Sequence, residues 1–157
     1  MHAFRRLAPL LVLGLALGLG ACAAPERPGY RPDHRALYPH ETPHLRRMID
    51  HYAQVYDVPP SLIHRVVQRE SRYDPRARNG PYWGLMQILP ATARTMGYRG
   101  RARGLLDADT NLRYGVKYLR GAWLLSDGDE SRAVMWYARG YYYEAKRRGM
   151  LHATGLD

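Results

Sequence analysis

The chain has 157 residues, the length of one ordinary domain, and 46% hydrophobic with 24% charged residues is the balance of a chain that buries a core rather than one that stays unfolded. Lys and Arg number 24 against 14 Asp and Glu, so the net charge is +10 and the partners this composition suits are anionic. A single cysteine excludes an internal disulfide framework and a cysteine-based structural zinc site.

The first segment, MHAFRRLAPLLVLGLALGLGAC, has a positive head at Arg5 and Arg6, an apolar run from Leu7 to Leu19, and small residues before Cys22. This is the layout of a secretory signal peptide over 1–21, too short for a comfortable membrane span. Leu19-Gly20-Ala21-Cys22 resembles the bacterial lipoprotein box, which implies lipidation of Cys22 and an anchor built from acyl chains. Ala23, rather than Asp, follows the cysteine, and by the sorting rule of such lipoproteins this implies the outer membrane. An exported basic protein meets anionic lipid and cell wall rather than nucleic acid. Residues 22–41 carry the lipidated Cys and a Pro-rich stretch without apolar period, which reads as a tether.

The folded part is expected from Thr42, which caps a helix with Pro43 at its first position. Leu45, Met48, Ile49, Tyr52 and Tyr56 recur at helical spacing until Asp57-Val58-Pro59-Pro60. A second helix from Pro60 to about Ser71 carries Leu62, Ile63, Val66 and Val67 on one face. Residues 76–83 read as a loop, and 84–89 as a short apolar segment, strand or helix entry. Pro90 opens a third helix that Gly97 ends, and 98–108 is an Arg- and Gly-rich loop. Asp109 or Thr110 caps a fourth helix with the stripe Leu112, Val116, Leu119 and Trp123; a fifth spans about 130–139, and a last piece about 142–148. The class is mainly α, one domain of about five to six helices with little or no β-structure.

Glu70 is the residue out of place. It extends the apolar stripe of the second helix by steps of three and four, and it sits in the last turn, at the negative end of the helix dipole. Burial and the dipole both push a carboxyl pKa upward, and a carboxylic acid that stays protonated is what general acid catalysis needs. The same placement also suits a boundary Glu paired with Arg69 or Arg72.

Glu70-Ser71, Asp74-Pro75, Gly84-Leu85-Met86-Gln87-Ile88-Leu89-Pro90 with Ala91-Thr92-Ala93, then Thr110-Asn111-Leu112, Gly115, Tyr118-Leu119 and Trp136-Tyr137-Ala138-Arg139-Gly140 follow one another in order. Together they resemble the soluble lytic transglycosylase family, which has the goose-type lysozyme fold, over about Leu45 to Tyr143. The resemblance implies a catalytic domain over 42–157 that cleaves the β-1,4 bond between N-acetylmuramic acid and N-acetylglucosamine in peptidoglycan and leaves a 1,6-anhydro end. It implies that Glu70 is acid and then base, and that Ser71 hydrogen-bonds near it and the substrate. Gly84, Leu85, Met86 and Gln87 would line the glycan cleft, with the Gln87 amide on sugar polar groups and Met86 on a sugar face. Tyr137 would bring its hydroxyl to the Glu70 carboxylate, and Asn111 would help start its helix. Two departures stand out: Ala138 occupies the place of the family's Asn, and Tyr82-Trp83 occupy places where smaller residues are common. Trp83 suits either a sugar-stacking platform or a plug over loop 76–82.

Ordinary glycosidases use two carboxylates roughly 5–9.5 Å apart. Asp74, before Pro75, reads as a helix-ending turn, and Asp107 and Asp109 as loop and cap residues, so Glu70 has no obvious partner. No cofactor is implied, and no metal, since the histidines lack an HExxH spacing. The implied partners are glycan strands, the membrane through Cys22, and cell-wall or secretion machinery, with the chain acting as a monomer. A hydrolytic muramidase on the same fold and a non-catalytic wall-binding lipoprotein remain as competing readings, as does a membrane-surface module resting on charge alone. The Arg-rich stretches 99–103 and 146–148 suit solvated faces, and Tyr141-Tyr142-Tyr143 suits either packing or a glycan edge.

Overall fold

The computed structural model describes residues 36–157; the signal peptide, Cys22 and most of the expected tether lie outside the described residues. Among them are seven α-helices: α1 (Pro43–Tyr56), α2 (Pro60–Glu70), α3 (Pro90–Thr95), α4 (Ala108–Leu124), α5 (Glu130–Arg139), α6 (Tyr142–Arg147) and α7 (Leu151–Thr154). A two-stranded antiparallel ribbon, β1 (Arg78–Asn79) and β2 (Tyr82–Trp83), and a 3-10 turn over Ala102–Leu106 complete the unit.

Local signals account for most helix ends. Thr42 accepts the Leu45 amide at 3.1 Å with Pro43 behind it, so α1 starts where its cap and proline require. Pro60 likewise opens α2, and Asp129 caps α5 by accepting from the Arg132 amide. The cap of α4 is Asp107, two residues before the expected position: its carboxylate takes both the Thr110 amide and hydroxyl, leaving Asp109 in the first turn. Asp109 instead accepts from the Tyr52 hydroxyl at 2.7 Å and so ties α1 to α4.

The main core is made by α1, α2, α4 and α5, with Ile49, Leu62, Ile63, Val67, Leu112, Val116, Leu119 and Ala133 wholly buried. A second, smaller cluster of Ile88, Ala93, Tyr98 and Leu105 packs under the ribbon. Three elements escaped the sequence reading: the ribbon inside the expected loop 76–83, the 3-10 turn inside the expected loop 98–108, and α7. All are too short to show a period. The segment expected at 84–89 is split: 84–87 are turns, Ile88 makes an isolated bridge to Trp83, and Leu89 leads into α3 as its N-cap residue.

The folded unit also begins earlier than Thr42. Glu41 is buried, accepts from Arg46 at 2.6 Å through both oxygens and takes the Tyr38 amide at 2.9 Å, while the Tyr38 ring stacks on Tyr73. The tether expected over 22–41 therefore ends before Tyr38. A charged residue after a proline-rich run looks solvated in sequence; only the arrival of Arg46, one helical turn into α1, makes its burial tolerable.

Candidate active site

Glu70 closes α2. Its side chain keeps 25% of its surface because the stripe Leu62–Val66–Glu70 leaves the core at this turn. Burial raises its pKa, and the Arg69 guanidinium, 3.6 Å away and itself exposed, lowers it in part; the net direction is upward. The Arg69 contact is weak by geometry and exposure, so it does not convert Glu70 into a settled surface ion pair. Ser71 donates its hydroxyl back to the Val67 carbonyl at 3.2 Å, which occupies its proton on its own helix.

The chain then reverses through Arg72 and Tyr73, both with positive φ, and Asp74 accepts the Arg76 amide in the turn expected before Pro75. Gln87 is a third non-glycine residue at positive φ in this region, at 47°. Left-handed backbone at these ordinary residues is held by surrounding contacts, and His40, Asp57 and Asp127 share it elsewhere in the described residues.

Those contacts are specific. The Trp83 and Ile88 backbones bridge one another at 3.1 and 3.2 Å, and the Gly84 amide reaches the Ala77 carbonyl at 2.8 Å. Asn111, 1% exposed, donates to the carbonyls of Trp83 and Leu105 and accepts the Met86 amide at 2.8 Å. Gly84 lies against it so closely that a Cβ would overlap both the Asn111 amide and the Leu105 carbonyl. From the other side the buried Tyr137 donates to the Met86 carbonyl at 2.8 Å. Burial drives the Tyr137 pKa well upward and the Glu70 charge adds to it, so the phenol stays protonated, its proton held by the Met86 carbonyl.

A cleft of about 270 Å³ opens between this loop and α5, lined by Tyr82, Gln87, Ile88, Thr92, Tyr118 and Tyr137 with Ala138, Arg139 and Gly140. Gln87 is 8% exposed; its Nε2 donates to the Gly84 and Ala77 carbonyls, and its Oε1 has no partner among the described residues. The acids weighed as partners for Glu70 are engaged elsewhere: Asp74 in its turn, Asp107 as a cap, Asp109 on Tyr52. No cluster of three His, Cys, Asp or Glu side chains that would hold a metal occurs among the described residues.

The model of the transglycosylase SLT domain family matches residues 47–149, from within α1 to the turn after α6. The chain belongs to this family. Among solved structures, the SLT domain resembles the 70 kDa soluble lytic transglycosylase of Escherichia coli with a TM-score of 0.56 at 23% identity, a likeness of fold. The match covers 69% of this chain but only 18% of that protein, so the chain spans a small part of its relative's length.

Within the SLT domain the geometry corrects several expected roles. Leu85 and Met86 are 0% exposed, and Met86 fills the space left by Gly115 on α4, so neither side chain packs on a sugar. Met86 acts through its backbone, by the carbonyl that holds Tyr137. Gly84 is buried and supplies room for Asn111 rather than a cleft surface. Trp83 leans on the smaller core and has Arg78 4.1 Å over its ring, so the exposed aromatic at the cleft is its neighbour Tyr82. Gln87 and Tyr137 do line the cleft. Asn111 does more than start its helix, because it pins the loop 83–86.

The sequence reading did not single out Tyr82, Tyr118 or Arg139 as site residues. Tyr118 packs edge-on to Tyr137 at 5.4 Å and stacks on Tyr141 at 4.6 Å, and burial pushes its pKa up to about 12. Its signal was faint: it sits one position off the Leu112–Val116–Leu119 stripe, on the edge turned toward α5.

Tyr137→Phe tests the support of the loop. Leaving the buried Met86 carbonyl without its donor is expected to cost about 1–3 kcal/mol, read from the shift of the denaturant midpoint. An unchanged midpoint would show that the 2.8 Å bond does not hold the loop.

Proposed function

We propose that this SLT domain is a peptidoglycan lytic transglycosylase with Glu70 as its single acid and base. One observation carries the reading: Glu70 is a half-buried carboxyl with a raised pKa whose charge reaches the buried Tyr137, a residue that lines the cleft, while Asp74, Asp107 and Asp109 are engaged in a turn, a helix cap and a tie to Tyr52. A two-carboxylate hydrolysis would need one of those acids at roughly 5–9.5 Å from Glu70.

In the proposed reaction Glu70 gives its proton to the glycosidic oxygen as the bond from the muramic acid C1 breaks. The substrate's own N-acetyl group stabilises the cationic centre. Glu70, now a carboxylate, removes the proton from the C6 hydroxyl, whose oxygen bonds to C1 and closes the 1,6-anhydro ring. The proton count returns to its start and no water is consumed. A half-buried carboxyl whose pKa is raised suits the first half, since it holds the proton that the leaving oxygen needs. In this reading Gln87 borders the bound sugars as a residue of the cleft wall, Glu70 meets the scissile bond with Tyr137 nearby, and Ser71 lies at the rim. Residues 1–21 as a signal peptide, Cys22 as a lipidated residue and attachment to the periplasmic face of the outer membrane complete the reading, and the excess of Arg suits an anionic wall.

The test is digestion of purified peptidoglycan by the protein, with mass analysis of the products. Fragments ending in anhydro-muramic acid are expected. Reducing ends would make it a hydrolase, and an absence of products with retained wall binding would leave a non-catalytic adaptor.

A further inference from the structure

The end of α5 and the outer face of α6 enclose a second groove of about 540 Å³, lined by Trp136, Arg139, Gly140, Tyr142, Tyr143, Glu144 and Arg147. Arg139 and Gly140 also line the cleft beside Tyr137, so the two depressions share a wall. The tyrosine run expected to be either packing or edge is split between those fates. Tyr141 is 1% exposed, whereas Tyr142 is 46% and Tyr143 84% exposed, their rings 5.4 Å apart and nearly perpendicular. Trp136 carries an indole N–H without an acceptor among the described residues. The two arginines differ. Arg147 is held by both oxygens of Glu144 at 2.9 and 2.6 Å, while Arg139 touches only the Met135 sulfur at 3.8 Å and has no carboxylate among the described residues.

Exposed tyrosines beside an uncompensated guanidinium, continuous with a cleft, suit a polymer that is flat and apolar on one face, polar at its edges and negatively charged at intervals. A lipid surface takes up an amphipathic helix face lying in its plane, whereas these tyrosines border a concave groove that continues into the cleft. We propose that the groove binds the peptidoglycan strand beyond the cleft, with an N-acetylhexosamine ring lying on the face of Tyr143, Tyr142 flanking it at a right angle, and Arg139 taking a carboxylate of a stem peptide. The inference rests on the cleft being the glycan cleft; it adds a second binding surface that gives the domain a preference for long, peptide-bearing strands. The fixed Glu144–Arg147 pair keeps the far wall neutral, so the attraction for a carboxylate is concentrated at the junction.

Tyr142→Ala/Tyr143→Ala removes the exposed rings, and its thermal midpoint should match the wild type because neither residue is in the core. On intact peptidoglycan the double variant is expected to raise apparent KM about tenfold with kcat unchanged, the loss of the stacking ring and its flank, while cleavage of a short tetrasaccharide stays as it was. Arg139→Gln should abolish the preference for stem-bearing strands over strands stripped of peptide by an amidase. Equal KM on intact peptidoglycan for wild type and double variant would overturn the proposal, as would an equal loss on the tetrasaccharide. Pelleting of both proteins with insoluble peptidoglycan, in a Glu70→Gln background, reads the groove without turnover. A wild type that forms no products but loses its wall binding with the two tyrosines would sink the enzyme reading and keep the groove.

Discussion

Glu70→Gln is expected, under the proposed reaction, to lower glycan cleavage by about 10³-fold or more, since that reaction assigns general acid and general base to this one residue and each such role contributes about 10²–10⁴-fold. The fold should survive. Burial raises the Glu70 pKa, so the folded protein holds this proton more tightly than the unfolded chain does. Between the unfolded and folded pKa values the native state binds more protons, and stability falls as pH rises through that window. Above it the wild type carries a half-buried charge that the glutamine variant lacks. At neutral pH the variant should therefore melt at the same temperature as the wild type or higher, the mark of a group placed for chemistry at the expense of stability. The same shift sets the pH profile. Cleavage needs Glu70 protonated at the start, so kcat/KM should fall on an alkaline limb that lies above the ordinary carboxylate range. A variant that retained a tenth of the activity, or a limb at the pKa of an ordinary surface Glu, would remove Glu70 from the chemistry.

Asn111→Ala is expected to destabilise the domain by about 2 kcal/mol or more, because three backbone groups lose a hydrogen bond at once and each unsatisfied group costs about 1–3 kcal/mol. The Met86 amide and the Leu105 carbonyl lose their partner, while the Trp83 carbonyl keeps the Ile88 amide. Those groups belong to Trp83, Met86 and Leu105, so the loss falls on the loop that carries Gln87 and holds Tyr137. Gly84→Ala should cost about 2–4 kcal/mol by a different route: left-handed backbone at φ 71°, plus a methyl driven into Asn111 and the Leu105 carbonyl. The two sites touch, and their effects are therefore expected to be less than additive, since truncating Asn111 clears part of the space that the added methyl needs. Urea denaturation of the two single variants and the double variant measures this directly. Strict additivity would mean that Gly84 is required for its backbone angle alone. Both variants should also lose turnover on peptidoglycan under conditions where they remain folded, because the loop no longer sets Gln87.

Much of the helical frame was legible in the chain. Thr42-Pro43, Pro60, Pro90 and the stripes of α1, α2, α4 and α5 place their helices nearly to the residue, because caps, prolines and a 3.6-residue period act through neighbours in sequence. Glu70 was legible for the same reason, as a carboxyl continuing an apolar stripe. Legibility failed where the partner is distant. Met86 reads as a cleft residue in a Gly-Leu-Met-Gln run, yet Gly115, far along the chain, offers the cavity that takes its side chain inward. Trp83 suits a platform or a plug in sequence alike, and here the missing information is local: the turn of the ribbon pairs it with Arg78, whose guanidinium covers its ring.

By itself the sequence determined the helices, the apolar faces that pair them, and the one acid on such a face. It also carried the ordered motifs of the family, because each of these depends on residue type and spacing within about two turns of chain. Only the tertiary structure decided which motif residues face the cleft and which support it. That choice is made by contacts across 25 to 51 positions, from Asn111 and Tyr137 to the backbone of Met86, and by the small volumes left at Gly84 and Gly115. Packing of this kind is cooperative, close to crystal density and without a local code, so a side chain's inward or outward turn is settled by what arrives from elsewhere in the fold.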